Sequence, residues 1–159
     1  MPHIHEKVDF TVEVFVVYKN KVLLRMHDKH HIWLSVGGHI ELDEDPVQAA
    51  IREVKEEVGL EIELIGPKLS IDDEFDYKHI VGPRYIGIHQ VNDVHRHVVL
   101  TYFAKAKTDK LFDSIMEHEK AETRWVTKEE LNKMDLRPNI LFYAEEALKE
   151  LGEIYESKK

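Results

Sequence analysis

The chain has no cysteine among its 159 residues, which excludes a disulfide framework and any thiolate metal site, so its core must hold by packing alone. A membrane signature is lacking as well. The opening MPHIHEKVDF has neither the basic start nor the apolar run of a signal peptide, and no uninterrupted apolar stretch reaches membrane length. A soluble, cytoplasmic protein is expected. Positive charge is scarce, with 22 Lys and Arg against 31 Asp and Glu and a formal charge of −9. This balance excludes general attraction to a phosphate backbone or an anionic membrane, so no DNA or membrane partner is expected. An anionic ligand would need a local cation or a metal ion. Repeats, low-complexity tracts and linkers are also absent, and with 43% hydrophobic residues the chain can bury one sizeable core. One domain spanning residues 1–159 is the expectation.

What is present reads as strands interleaved with helices. FTVEVFVVYKNKVLLRMH, Phe10 to His27, holds two β-branched and aromatic runs separated by Lys19 and Asn20, a hairpin signal. After a polar loop, IWLSV at 32–36 predicts a short strand that stops at Gly37 and Gly38. From Asp45 the period becomes helical: Asp45 as N-cap, Pro46 at the first helical position, then Val47, Ala50, Ile51, Val54 and Val58 along one side, with Gly59 as the stop. Strands are expected at 86–91, 97–107 and 122–126. TKEE at 127–130 has capping-box spacing and opens a short helix, and 137–152 is an amphipathic helix followed by Gly152. The order describes a mixed α/β unit with helices packed on a central sheet.

The first long helix carries the chemistry. At about 100° per residue, Glu53, Glu56 and Glu57 fall within an arc of roughly 100°, beside the apolar stripe. Like charges so placed cost roughly 0.2 to 0.5 kcal/mol per pair on an isolated helix, so something should offset them. Arg52 lies next to this face and stands four residues before Glu56, but one cation cannot neutralise three carboxylates. A hard divalent ion can, since Mg²⁺ or Mn²⁺ prefers oxygen ligands and is commonly held by a few carboxylates together with substrate phosphates. Ala49, at the edge of the acidic face, is small enough to leave space for such a ligand.

In full, Gly38, Glu44, Arg52, Glu53, the aliphatic Val54, Glu56, Glu57, Gly59 and the aliphatic Leu60 match the defining box of the Nudix hydrolases at every position and spacing. The glycine pair after a strand and RWV at 124–126 before a helix start are similar to that family too, so the resemblance covers most of the chain. It implies a Nudix-type α/β/α sandwich with a mixed central sheet, whose strand-loop-helix-loop box binds Mg²⁺ or Mn²⁺. The implied reaction is hydrolysis of the pyrophosphate bond in a nucleoside diphosphate linked to another group: a nucleoside triphosphate, a dinucleoside polyphosphate, ADP-ribose or a nucleotide sugar. By matching position, Glu53, Glu56 and Glu57 would be metal ligands and Arg52 would orient their carboxylates. Gly38 would let the backbone turn sharply beside the metal, and Glu44 would support the loop or reach a metal through water. A homodimer is also implied.

The general base stays open between Glu53 in the box and Glu119 or Glu122 in MEHEKAETRW. Arg25, a long cation ending an apolar run, is a phosphate-binding candidate, with solvent exposure as the equal rival. Among eleven histidines, His95 and His97 flank Arg96, so on a strand the two rings share one face and Arg96 takes the other. Arg96 is a phosphate or base contact in one reading and part of an ordinary sheet surface in the other; histidines can hold Zn²⁺ or Ni²⁺, but these spacings match no tight pattern. Tyr77 stands about as far beyond the box as the tyrosine that marks the family's diadenosine polyphosphate hydrolases, and Phe75, Tyr77 or Tyr85 could stack a base. An isoprenoid diphosphate isomerase is discounted because that branch relies on a cysteine. The remaining alternative is a catalytically silent Nudix-like nucleotide sensor, although such a domain is expected to have lost box carboxylates.

Overall fold

The computed structural model describes residues 3–27, 29–111 and 122–153. β1 (Val8–Tyr18) and β2 (Lys21–His27) form the expected hairpin, and Lys19 takes a positive φ of 51° in the two-residue turn, as turns matched to strand twist require. The remaining strands are β3 (Ile32–Leu34), β4 (Val36–His39), β5 (Ile62–Ile65), β6 (Tyr85–Gln90), β7 (Arg96–Ala106) and β8 (Thr123–Thr127). All join one mixed sheet of eight strands. At its centre β1 runs parallel to β7, with Val8 opposite Arg96 through to Val17 opposite Lys105. The other edge of β1 pairs with β4 at Thr11–Val14 and with β2 near the hairpin turn. β5 and β6 lie antiparallel to β7, while β3 and β8 lie antiparallel to β2.

β1 is almost continuously apolar because both of its faces are covered. Val12, Val14 and Val16 pack with Tyr102 and Ala104 under α1 (Pro46–Val58), which contributes Ala49, Ala50, Val54 and Val58. On the other face Phe15, Val17 and Phe103 pack with Leu131 of α2 (Lys128–Leu131) and with Ile140, Ala144, Ala147 and Leu151 of α3 (Pro138–Leu151). The result is the α/β/α sandwich that the resemblance implied. Among the described residues, no helix is long and apolar enough to cross a membrane.

Several local expectations are corrected. IWLSV is not one strand: Ser35 separates β3 from β4, which runs on through both glycines to His39. Gly37 continues the strand because β4 approaches β1 so closely that a Cβ would strike the Val12 carbonyl oxygen, with Glu13 Cα 2.9 Å away. On α1 the buried stripe is rotated, so Ile51 is 42% exposed and Ala49 is fully buried in the core, leaving Ala49 no role in making room for a ligand. α3 ends at Leu151 with Gly152 following it, as expected, in extended backbone (φ −65°, ψ 154°). β5 was not expected; its four residues are too few to show a period of their own, and it exists because Ile62–Ile65 pairs with Phe103–Ala106 of β7.

Candidate active site

α1 is fixed at both ends by local chemistry. Asp45 accepts a hydrogen bond from Gln48 N (2.9 Å) and the Gln48 side chain accepts from Asp45 N (2.9 Å), so two of the orphan donors at the helix start are satisfied reciprocally. Pro46 fills the first position, and Gly59 leaves the helix at a φ of 74° while its N–H reaches Lys55 O. The helix therefore starts and stops where its sequence directs, which sets the rotation of every box side chain.

Arg52 organises the site. Its Nε donates to Glu44 Oε2 (3.0 Å) and its Nη2 to Glu44 Oε1 (2.6 Å) and to the His39 carbonyl (3.0 Å). Its Nη1 donates to Glu53 Oε1 (3.0 Å) and Glu56 Oε2 (3.2 Å). A guanidinium has five N–H groups, and these five acceptors use them all. Hydrogen bonds donated to Glu44, with burial opposing and Glu53 adding its charge, push the Arg52 pKa further above its ordinary value. The same contacts with Arg52, opposed by burial and helped by Glu41 N (2.9 Å), hold the Glu44 carboxyl below its ordinary value. Glu44 thereby ties the Glu41 end of the loop to Arg52.

Glu53 is buried at 4% exposure, and burial raises its pKa against the lowering effect of Arg52. Gly38 explains how this carboxylate fits. The backbone makes no left-handed turn at Gly38, contrary to the sharp turn expected there. A Cβ at Gly38 would run into Glu53 Oε1, so the glycine is a cradle for a side chain. Glu56 is largely exposed, and Glu57 pairs with Arg25 Nη1 at 3.2 Å. The anionic partner required by Arg25 is thus part of the box.

The donor set fits a hard divalent cation. All donors are carboxylate oxygens, and Glu53 and Glu56 are held side by side on one guanidinium nitrogen with the Gly38 cradle beside them. Formally, the carboxylates Glu44, Glu53, Glu56 and Glu57 against the guanidiniums Arg52 and Arg25 leave two negative charges for a cation to balance.

The other described candidates stand outside the box, on other segments of the chain. Tyr77 is 63% exposed in the loop between β5 and β6, bridged to Glu74 and in contact with His79, and Phe75 is fully exposed. Tyr85 packs against Phe103, Phe142 and Tyr143. Arg96 is exposed at the start of β7, and Glu122 is exposed just before β8, where its carbonyl accepts from Met26 N. Glu119 lies outside the described residues. His95 departs from the reading of a sheet surface with scattered rings, because it is 2% exposed. It faces Asp9, a residue that sequence reasoning passed over; the signal was present in the His-x-His spacing at 3–5 and 95–97 with a lone Asp on the first strand.

Comparison with known proteins agrees with this geometry. The family model for the NUDIX domain matches residues 9–145. A solved NUDIX-family hydrolase from Clostridium perfringens is 35% identical, covers 90% of this chain and 97% of its own, and superposes with a TM-score of 0.78. A MutT NUDIX hydrolase from Burkholderia pseudomallei shares the fold at 18% identity, with 92% and 99% of the two chains covered and a TM-score of 0.62. The m7GpppN-mRNA hydrolase NUDT17 of Xenopus laevis is 40% identical over 62 residues, 35% of this chain and 21% of its own, so the match spans about a fifth of that relative. With the box assembled around Arg52 and the family match running over most of its length, the chain belongs to the Nudix hydrolase family.

Proposed function

We propose that the chain hydrolyses the pyrophosphate bond of a nucleoside diphosphate derivative in the cytoplasm, as one catalytic unit, with Glu53, Glu56 and Glu57 holding Mg²⁺ or Mn²⁺. The observation that carries this reading is the saturated Arg52 guanidinium, which keeps Glu53 and Glu56 together while leaving Glu56 open to solvent. When bound, the cation supplies positive charge to the phosphate oxygens and to the leaving group. The protein supplies the positioning. Glu44 and the His39 carbonyl fix the guanidinium, and the guanidinium fixes the carboxylates. Glu53 is our general base: its buried carboxylate is held in place by Arg52 and the Gly38 cradle, which positions it to take a proton from the attacking water. Arg25, next to Glu57 at the edge of the box, is the cation best placed to meet a phosphate, and Tyr77, Phe75 and Arg96 are left for the remainder of the substrate.

The test is a panel of nucleoside triphosphates, diadenosine tetraphosphate, ADP-ribose, nucleotide sugars and, because one relative is a cap hydrolase, capped RNA. Each is incubated with Mg²⁺, Mn²⁺ or EDTA, and nucleotide products are followed by chromatography. Metal-dependent cleavage of one class supports the reading and names the substrate. A folded protein that binds a nucleotide, seen as thermal stabilisation, yet releases no product with either metal would be a sensor and would overturn it.

A further inference from the structure

We propose that His3, Asp9, His39, His95 and His97 form a second metal site, one for a resident transition-metal ion of the Zn²⁺ type, on the face of the sheet opposite α1. Alternation along β1 places Asp9 on the face of Thr11, Glu13 and Phe15, which is the α3 side, whereas Gly38 and Glu53 meet on the α1 side. The parallel pairing of β1 with β7 sets His97 beside Asp9, and β4 brings His39 alongside Thr11. His95 comes from the turn before β7, and His3 from the segment before β1.

The donors already converge. His3 Nδ1, His39 Nε2 and His95 Nε2 each lie 3.2 Å from Asp9 Oδ2. Donor atoms of His3, Asp9, His95 and His97 all lie within 4.8 Å of one another. Ligands about 2.0 to 2.1 Å from a tetrahedral Zn²⁺ stand about 3.3 Å apart, so the three separations from Asp9 Oδ2 are those of a coordination shell, and the His97 donor lies near enough to close on the same ion.

Hydrogen bonding does not account for the cluster. Asp9 Oδ2 has two lone pairs, yet Ile4 N and three imidazole nitrogens surround it at 3.2 Å. The Nε2 atoms of His39, His95 and His97 are buried and make no hydrogen bond, even though two of them are that close to the carboxylate. His95 Nδ1 lies 3.0 Å from the Glu6 carbonyl, which can only accept, so this nitrogen carries the proton. In a neutral ring Nε2 then presents a lone pair to Asp9. Two lone pairs facing each other in a site where His95 is 2% and Asp9 0% exposed are reconciled by a cation, either a proton on His95 Nε2 or a metal ion shared with Asp9, and the convergence of further rings on the same oxygen favours the metal.

The surroundings match a metal centre. A ligating histidine usually donates its second N–H to a carbonyl or carboxylate, as His95 does to Glu6. The second oxygen of Asp9 is fixed by His5 N at 2.6 Å. Imidazole nitrogen with one carboxylate selects Zn²⁺, Ni²⁺, Co²⁺ or Fe²⁺ over Mg²⁺. A shell filled by protein side chains makes the ion structural, pinning residues 3–7 across the ends of β1 and β7.

The experiment uses the full chain without a histidine tag, dialysed against excess Mg²⁺ to occupy the box, with metal content measured by mass spectrometry. Melting is then followed after chelation and after return of Zn²⁺, Co²⁺ or Ni²⁺. One transition-metal ion per chain is expected, with a rise in melting temperature on its return. His3→Ala removes a partly exposed ligand and should fold; it and His95→Asn are expected to weaken Zn²⁺ by at least about tenfold, while Glu56→Gln retains the ion. Retention in both histidine variants, loss in Glu56→Gln, or no binding of any of the three ions by folded wild-type protein would overturn the site.

Discussion

The two faces of the sheet carry two ligand clusters that solve the same electrostatic problem differently. Under α1 the carboxylates of Glu44, Glu53 and Glu56 are gathered by an internal cation, Arg52, and one of them stays in solvent. On the α3 side the imidazoles of His39, His95 and His97 surround a single carboxylate, and the contacts described there include no guanidinium or ammonium. A cluster with its own cation survives when an exchangeable ion leaves, which suits a catalyst that binds metal together with each substrate. Imidazole rings around a buried carboxylate include no such fixed cation, which suits an ion that stays.

The comparison is broken most forcefully by exchanging its halves. Glu53→Gln and Glu56→Gln are each expected to lower Mg²⁺-dependent turnover by at least about 100-fold in steady-state assays. Transition-metal content should not change. Loss of the histidine-bound ion from these variants would mean that the clusters are one system.

Next in size is a pair of neighbouring glycines. Gly37→Ala drives a methyl into the backbone of β1, which cannot retreat, so a loss of about 3 kcal/mol or more, or insoluble protein, is expected from denaturant melts. Gly38→Ala meets only the end of the Glu53 side chain, so the melt should move little while turnover falls about 10- to 100-fold. Equal stability losses for the two would refute the cradle.

Arg52→Lys should cost less, about tenfold in turnover, since one ammonium cannot reproduce a fork spread over Glu44, Glu53, Glu56 and the His39 carbonyl. An unchanged KM for Mg²⁺ and unchanged turnover would show that the carboxylates hold themselves.

The smallest effect concerns Glu13, half-buried on the α3 face with hydrogen bonds from Thr101 (2.6 Å) and Ser35 (3.3 Å). Burial raises its carboxyl above the ordinary 4.5. The folded state therefore keeps a proton that the unfolded chain releases, and this contribution is full below 4.5 and lost as pH rises through the folded value. Glu13→Gln does not titrate, so thermal melts should show wild type losing ground to the variant between about pH 4.5 and neutrality. A constant difference across that range would contradict the assignment.

The Nudix box was legible because it is local. The cap, the proline, the carboxylates and the stop of α1 all lie within residues 45–59, and helical geometry alone makes the glutamates neighbours. Glycine was misread in the strand: the sequence shows Gly37 and Gly38 but not which atoms approach them, and only the register of β4 on β1 does. Arg25 was recognised as needing an anion, yet its partner Glu57 lies 32 positions away across the sheet. The histidine cluster was hardest, since the parallel pairing of β1 with β7 unites Asp9 and His97, and no local pattern encodes a parallel register.

Gly38 also has a meaning for descent. The three atoms nearest an added carbon here all belong to the Glu53 carboxyl. A lineage could give up most of its turnover in a single substitution at this position while keeping every glutamate and the fold, so relatives that replace this glycine are where weakened hydrolases that still hold a nucleotide should be sought.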